Sequence, residues 1–399
     1  MAVIGRGRQL RARVALLVLL EVWPWPSARA QQTSVPAAIE TKEDLGGALF
    51  ADRNLSFSRR QNCVSCHSPE LAFTDPRQLG AVQGAVSRGN DGRSLGDRNA
   101  PTLAYAHLTP PFHFNSAGQP IGGMFHDGRE ADLPAQAGAP LINPVEMGMP
   151  NRASVVARLR ENPSYLAAFT RLFGPSSLDD EDTAFAAFGE ALAAFESSRT
   201  FAPFDSKYDR ALRGEAVLSD EEEAGRALFF DSERSSCSRC HARWSGAKLS
   251  RDEDRETFSN AGYFNLGVPE NTNVRSLNGK AGSVDHGLMQ NPAAATQSSA
   301  GKFKVPTLRN VAITGPYMHN GVFQELRTAI LFHDRFNGGA QQESRNPETG
   351  QPWAAPEVAA NVETAMLAAP PLGEAEIKAL IAFLSTLTDQ RYEHLVSAP

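Results

Sequence analysis

Two five-residue strings constrain this chain more than anything else in its 399 residues: CVSCH at 63–67 and CSRCH at 237–241. Cys63, Cys66, Cys237 and Cys240 are its four cysteines, and each pair is followed at once by a histidine, His67 or His241. This spacing lets two thiols bond the vinyl groups of one haem while the adjacent imidazole turns under the ring to ligate iron. A zinc site built from both pairs is a competing reading, but its halves lie roughly 170 residues apart in sequence. A redox dithiol gives no reason for the histidines. Two covalent c-type haems are therefore expected, and no thiol remains for a disulfide.

The compartment agrees with that chemistry. Arg6, Arg8, Arg11 and Arg13 precede a short apolar run, Val14 to Leu20, and Ala28-Arg29-Ala30 supplies the small residues of a cleavage site. Residues 1–30 read as a cleaved signal peptide, since the run is too short to span a bilayer and Glu21 interrupts it. A periplasmic protein with no membrane span is expected. The remaining chain holds 34 basic and 44 acidic residues, a formal charge of −10. That balance disfavours nucleic acid or an anionic membrane surface as partner and fits small molecules or another protein.

An internal repeat suggests duplication. GALFADRNLS (47–56) precedes the first motif and RALFFDSERS (226–235) the second; with Asp52 aligned on Asp231, the first Cys follows 11 residues on in one copy and 6 in the other. Each copy reads as a helix whose Leu-Phe end delivers the chain to a haem. Helical spacing recurs in Ser154 to Phe173, in Phe185, Phe188, Leu192 and Phe195, and from Ile377 to Leu387. Residues 87–123, rich in Gly, Pro and Asn, read as a long irregular loop. Strand signals are sparse, with one short hairpin suggested near Gly262 to Val268. The chain thus reads as mainly α. Its expected division is an N-terminal haem domain, 31–204, and a C-terminal one, 205–399, joined by a polar linker from Asp205 to Ser219.

Beyond the two motifs, GDRNAPT (96–102), FHDGR (125–129), PLINPVEM (140–147) and VPTLRNVAITGPYMHNG (305–321) resemble the bacterial di-haem cytochrome c peroxidase family over about residues 40–393. NDGRSLGDRNAPT (90–102) before a PPF, FAPFDSKYDR, HNGVFQELRTA and NPETGQPW resemble its methylamine-utilisation branch more narrowly. The resemblance implies two cytochrome-c-like domains with their haems at the interface and a calcium ion between them. It also implies an activity. Enzymes of that branch use hydrogen peroxide, or oxygen with electrons, to build tryptophan tryptophylquinone in the precursor of methylamine dehydrogenase. The alternatives are a detoxifying peroxidase fed by a small cytochrome or cupredoxin, and a plain electron-transfer cytochrome.

Site residues follow from the same resemblance. Glu146 matches the distal glutamate, and Gln136 and Pro140 would line its pocket; a partly desolvated carboxylate suits proton transfer between peroxide oxygens. Asn99, Thr314 and Pro316 match the oxygen donors of the calcium, the last two through backbone carbonyls. No His lies between His67 and His107, so the loop after the first motif cannot supply a second axial ligand. A five-coordinate first haem is expected, with His107 or His113 folding back as the alternative. The electron-transfer haem, held by His241, should have His333 opposite, 14 residues after His319 where relatives carry Met or Tyr; His286, Met289 and Met318 are the competitors. Asp334 is a candidate acceptor for the other N–H of His333. His126 stands where relatives place an inter-haem Trp, and is read as relay, distal partner or structural; Trp244 and Trp353 lie in other segments.

Overall fold

Caps written in the sequence start most of the helices. Thr41 accepts from the Asp44 N–H while the Asp44 carboxylate reaches back to Thr41, and Ser219 and Glu222 repeat that reciprocal arrangement. The computed structural model describes residues 39–77, 84–242, 256–337 and 345–396. The proposed signal peptide and Trp244 lie outside the described residues.

In chain order the helices are α1 (Lys42–Ala51), α2 (Leu133–Ala137), α3 (Ala139–Ile142), α4 (Arg152–Arg160), α5 (Pro163–Phe173), α6 (Glu181–Glu196) and α7 (Lys207–Leu212). They continue as α8 (Asp220–Phe230), α9 (Cys237–Cys240), α10 (Thr272–Leu277), α11 (Leu326–Asp334), α12 (Thr364–Leu367) and α13 (Glu374–Ser385). Helices are therefore the dominant regular structure among the described residues. None of these helices is long and apolar enough to cross a membrane.

Among the described residues the two largest hydrophobic clusters are separate from each other. The larger draws on α1, α4, α5 and α6, with Leu45, Leu49, Val155, Leu159, Phe169 and Phe188 buried. The second gathers Tyr208, Phe229, Phe258, Leu380 and Phe383 around α8 and α13. The repeat seen in sequence organises both. A Cβ on Gly46 of α1 would lie 2.0 Å from the Ala191 carbonyl oxygen of α6, and one on Gly225 of α8 would lie 1.9 Å from that of Ala379 of α13. Only glycine permits either crossing. Both helices end where expected, with Asp52 and Asp231 as extended C-caps.

Four expectations need correction. The stretch from Ser154 to Phe173 is two helices, because Pro163 forces Asn162 into extended backbone and starts α5. The strand near Gly262, β3 (Tyr263–Phe264), pairs antiparallel with the distant β4 (Phe303–Lys304) rather than in a local hairpin. The hairpin lies instead inside the loop read as irregular, where β1 (His113–Phe114) pairs with β2 (Pro120–Ile121). Residues 205–219 are no free linker either. They contain α7, whose Tyr208 and Asp209 are buried, and the Asp209 carboxylate binds the fully buried Arg309 guanidinium at 2.7 Å.

Candidate functional site

A cavity of about 1090 Å³ is lined by both Cys-x-x-Cys-His motifs. Each motif presents its histidine in the same way. The His67 N–H donates to the Cys63 carbonyl at 2.9 Å, and the His241 N–H to that of Cys237 at 2.9 Å. On the rings, Nδ1 of His67 lies 3.0 Å from the Phe73 carbonyl, and Nδ1 of His241 lies 3.0 Å from the Phe258 carbonyl. A carbonyl can only accept, so Nδ1 carries the proton and Nε2 keeps its lone pair, the form that ligates a metal. Burial holds both rings neutral, pushing His241 down to about 4.

The thiols are equally informative. Burial pushes all four up, Cys240 to about 11. Such thiols stay protonated and are poor nucleophiles. Among the described residues no cluster of three or more His, Cys, Asp or Glu is placed to hold a metal ion, so the four cysteines do not converge. The residues present do fit a c-type haem at each motif: paired neutral thiols, an open imidazole Nε2, and an apolar wall. Phe50, Leu133 and Leu192 supply that wall in the N-terminal half, and Phe229, Leu380 and Leu384 in the C-terminal half.

Gln136 on α2, Pro140 on α3 and Glu146 in the turn after α3 all border the cavity. The Asn143 side-chain amide donates to Glu146 Oε1 at 2.7 Å, and the Glu146 carbonyl accepts from the Asn90 backbone N–H at 2.7 Å. The carboxyl is thus fixed at one oxygen. Burial pushes it above the ordinary carboxylate range, against the opposing pull of Arg129 and Asn143.

On α11, His333 Nδ1 lies 2.7 Å from the Ala329 carbonyl, which again leaves Nε2 free, and Ala329 and Ile330 line the cavity. His333 is near enough for its charge to depress His241. Asp334 is not its acceptor; it takes hydrogen bonds from Asn337 and from the Leu372 N–H instead. Among the competitors His286 is exposed, Met289 is half-buried and Met318 borders the cavity. His113 is exposed and bonded to the Pro111 carbonyl, whereas His107 lines a second cavity. Trp353 packs on Phe323 and Phe332. Asn99, Thr314 and Pro316 all border the main cavity, and the Asn99 amide nitrogen donates to the Ala85 carbonyl at 3.2 Å, which turns its oxygen the other way.

His126 occupies a tight turn, with Phe125 and Gly128 at φ 62° and 66° and Met124 bridged to Glu130. Its Nε2 lies 2.9 Å from the Asn99 carbonyl. Sequence reasoning missed that this turn has a twin. In PYMHNGVF, Met318 and Gly321 have φ 72° and 62°, Tyr317 bridges Phe323, and His319 holds the place of His126. The turns exchange contacts across the halves: the Asn99 N–H donates to the His319 carbonyl and the Lys304 N–H to the His126 carbonyl, each at 2.8 Å. Asn99 and Lys304 stand two residues before the Pro-Thr-Leu strings at 101–103 and 306–308, a repeat visible in the sequence. Thr102 and Thr307 in those strings bond the carbonyls just before Phe73 and Phe258, so they brace the two histidine acceptors alike.

Known proteins resemble this chain over most of its length. The family model described as di-haem cytochrome c peroxidase matches residues 40–217. The chain is 48% identical over 373 residues to the methylamine utilization protein MauG of Paracoccus denitrificans, covering 93% of this chain and 94% of that protein. It is 31% identical over 305 residues to the cytochrome c551 peroxidase of Pseudomonas aeruginosa, covering 76% and 74%. Among solved structures, the dihaem peroxidase BthA from Burkholderia thailandensis superposes with a TM-score of 0.77 at 32% identity, covering 90% of this chain and 89% of that one.

Proposed function

The chain belongs to the di-haem cytochrome c peroxidase family, and from that premise we propose that it is a periplasmic enzyme using hydrogen peroxide to oxidise a protein substrate. The family makes it a haem-dependent oxidoreductase. The protein substrate proposed is the precursor of methylamine dehydrogenase, with tryptophan tryptophylquinone as the product. The extent of likeness to a methylamine utilization protein supports that choice. Export by the 1–30 signal peptide and a calcium ion at Asn99, Thr314 and Pro316 belong to the same reading. So does one haem in each of 31–204 and 205–399.

Two haems, when bound, would supply the peroxide-reducing and electron-storing chemistry. Cys63, Cys66 and His67 would hold the first, and Cys237, Cys240, His241 and His333 the second. The observation that carries the reading is asymmetry across the cavity: a desolvated carboxyl in the N-terminal half, a second imidazole in the C-terminal half. Glu146 Oε1 is tied to Asn143, so Oε2 is the oxygen that accepts a proton from bound peroxide and returns it to the departing oxygen. Gln136 and Pro140 shape the pocket beside it. His333, its tautomer held by Ala329, would be a further ligand for the second haem and would leave peroxide no access there.

A second reading rests on His126. Its Nε2–H is committed to the Asn99 carbonyl, and imidazole is harder to oxidise than indole, so it positions Asn99 rather than relaying charge. That favours a peroxidase fed by a small electron-donor protein. Mixing peroxide and purified precursor dehydrogenase with the holoenzyme decides between them. Growth of quinone absorbance is the expected result; no quinone, with fast turnover on reduced cytochrome c, would overturn the first reading for the second.

A further inference from the structure

Glu196, the last residue of α6, is 4% exposed and lies in the wall of the main cavity near Cys63. Its Oε2 has no hydrogen-bond partner. Beyond it lies a second cavity of about 660 Å³, lined by His107, Ser197, Ser198 and Arg213 among others; Leu108 belongs to the walls of both cavities. His107 hydrogen-bonds the Glu196 backbone carbonyl, and its Nδ1 is buried without a partner, as is the Ser198 hydroxyl. Three orphaned polar atoms thus mark one end of α6, between the pocket of the first motif and the second cavity. Buried polar atoms in native proteins are seldom left unpaired, and water is their usual partner in a roomy polar site.

Among the described residues none sets a counter-charge against the Glu196 carboxyl; Arg199 and Arg213 line the second cavity, where Arg213 pairs with Glu215. On α1, Lys42 pairs with Glu190 and Asp52 caps its own helix end. On α4, Arg152 pairs with Asp182, while Arg158 and Arg160 bind backbone carbonyls elsewhere. That leaves Cys63, a thioether once haem is attached, and His107, which burial keeps neutral. Burial accordingly pushes the Glu196 carboxyl up to about 8.

We propose that Glu196 is the proton-exchange site of the first haem pocket, taking up a proton past His107 when that haem gains an electron and releasing it when the electron leaves. This rests on the Cys63–Cys66–His67 motif carrying haem. One electron from a small donor protein reduces ferric to ferrous iron as one proton from water in the second cavity converts the Glu196 carboxylate to the acid. The net charge of the pocket stays constant, which a desolvated site strongly favours.

The test is the reduction potential of the first haem in the holoenzyme, read by EPR-monitored titration with dithionite as electron source at pH values on either side of 8. A one-electron couple that binds one proton falls by about 59 mV for each tenfold drop in proton concentration. Wild type should approach that slope above about pH 8, where the ferric-state carboxyl is ionised, and level off below it, whereas Glu196→Gln should be nearly flat throughout. Should the glutamine variant not fold, redox-difference infrared spectra of the wild type alone decide: reduction should add a protonated-carboxyl band. A wild-type potential that does not change with pH, a glutamine variant with the wild-type slope, or no carboxyl band overturns the proposal. Absence of covalent haem at the first motif overturns the underlying reading as well, and peptide mapping shows that separately.

Discussion

The two halves of the molecule are built on one backbone frame and differ in what stands across the cavity from each motif. Gly46 meets Ala191 as Gly225 meets Ala379, and His67 leans on Phe73 as His241 leans on Phe258. Thr102 and Thr307 brace those carbonyls identically, and the turns at His126 and His319 trade backbone hydrogen bonds. Yet the N-terminal half brings up Glu146, a carboxyl, and the C-terminal half brings up His333, an imidazole. Position is thus set by the shared frame, and on the reading proposed above reactivity is set by a single residue type on a loop or helix that the frame leaves free to vary.

The largest way to break the comparison is to remove one motif. Cys63→Ser with Cys66→Ser should abolish covalent haem in the N-terminal half and all peroxide chemistry while leaving the second haem attached; in-gel haem staining of the proteolysed halves checks this. Next comes Glu146→Gln, which should keep both haem spectra and lower the stopped-flow rate with peroxide by about 10²–10⁴-fold, the usual worth of a positioned acid–base group. The sign of the pH effect sharpens it. The base works when deprotonated, and burial raises its pKa, so the rate should fall on acidification from a pH above the ordinary carboxylate range. Arg129→Gln removes a charge that lowers that pKa and should move the limb to higher pH. The smallest effect tests the frame itself. Gly46→Val and Gly225→Val each force a side chain into an opposing backbone, costing on the order of 1–3 kcal/mol or more. Thermal melts should show the loss first at the haem of the substituted half.

Much of this was legible in the sequence because covalent chemistry and helix caps are local. The two motifs and the paired Leu-Phe-x-Asp helix ends are written within a few residues, whereas the helical spacing from Ser154 to Phe173 hid the break that Pro163 imposes. The exchange between the His126 and His319 turns was not, since backbone hydrogen bonds between segments some 200 residues apart leave only the repeated Pro-Thr-Leu as a trace. Nor was the pairing of β3 with β4, for the same reason. Asp205 to Ser219 misled because polarity usually marks a solvated link, whereas here Asp209 is consumed by a buried Arg309. Glu196 sits at the end of an alanine-rich helix, where nothing in the spacing distinguishes a buried carboxyl from an exposed one.

An open first site and a closed second one on a single shared frame would carry a direct spectroscopic signature. The EPR spectrum of the resting ferric holoenzyme measures this without any substitution. One high-spin signal beside one low-spin bis-imidazole signal, the latter lost in His333→Ala, is the predicted result. Two low-spin signals at rest, or a low-spin signal that survives the loss of His333, would contradict it.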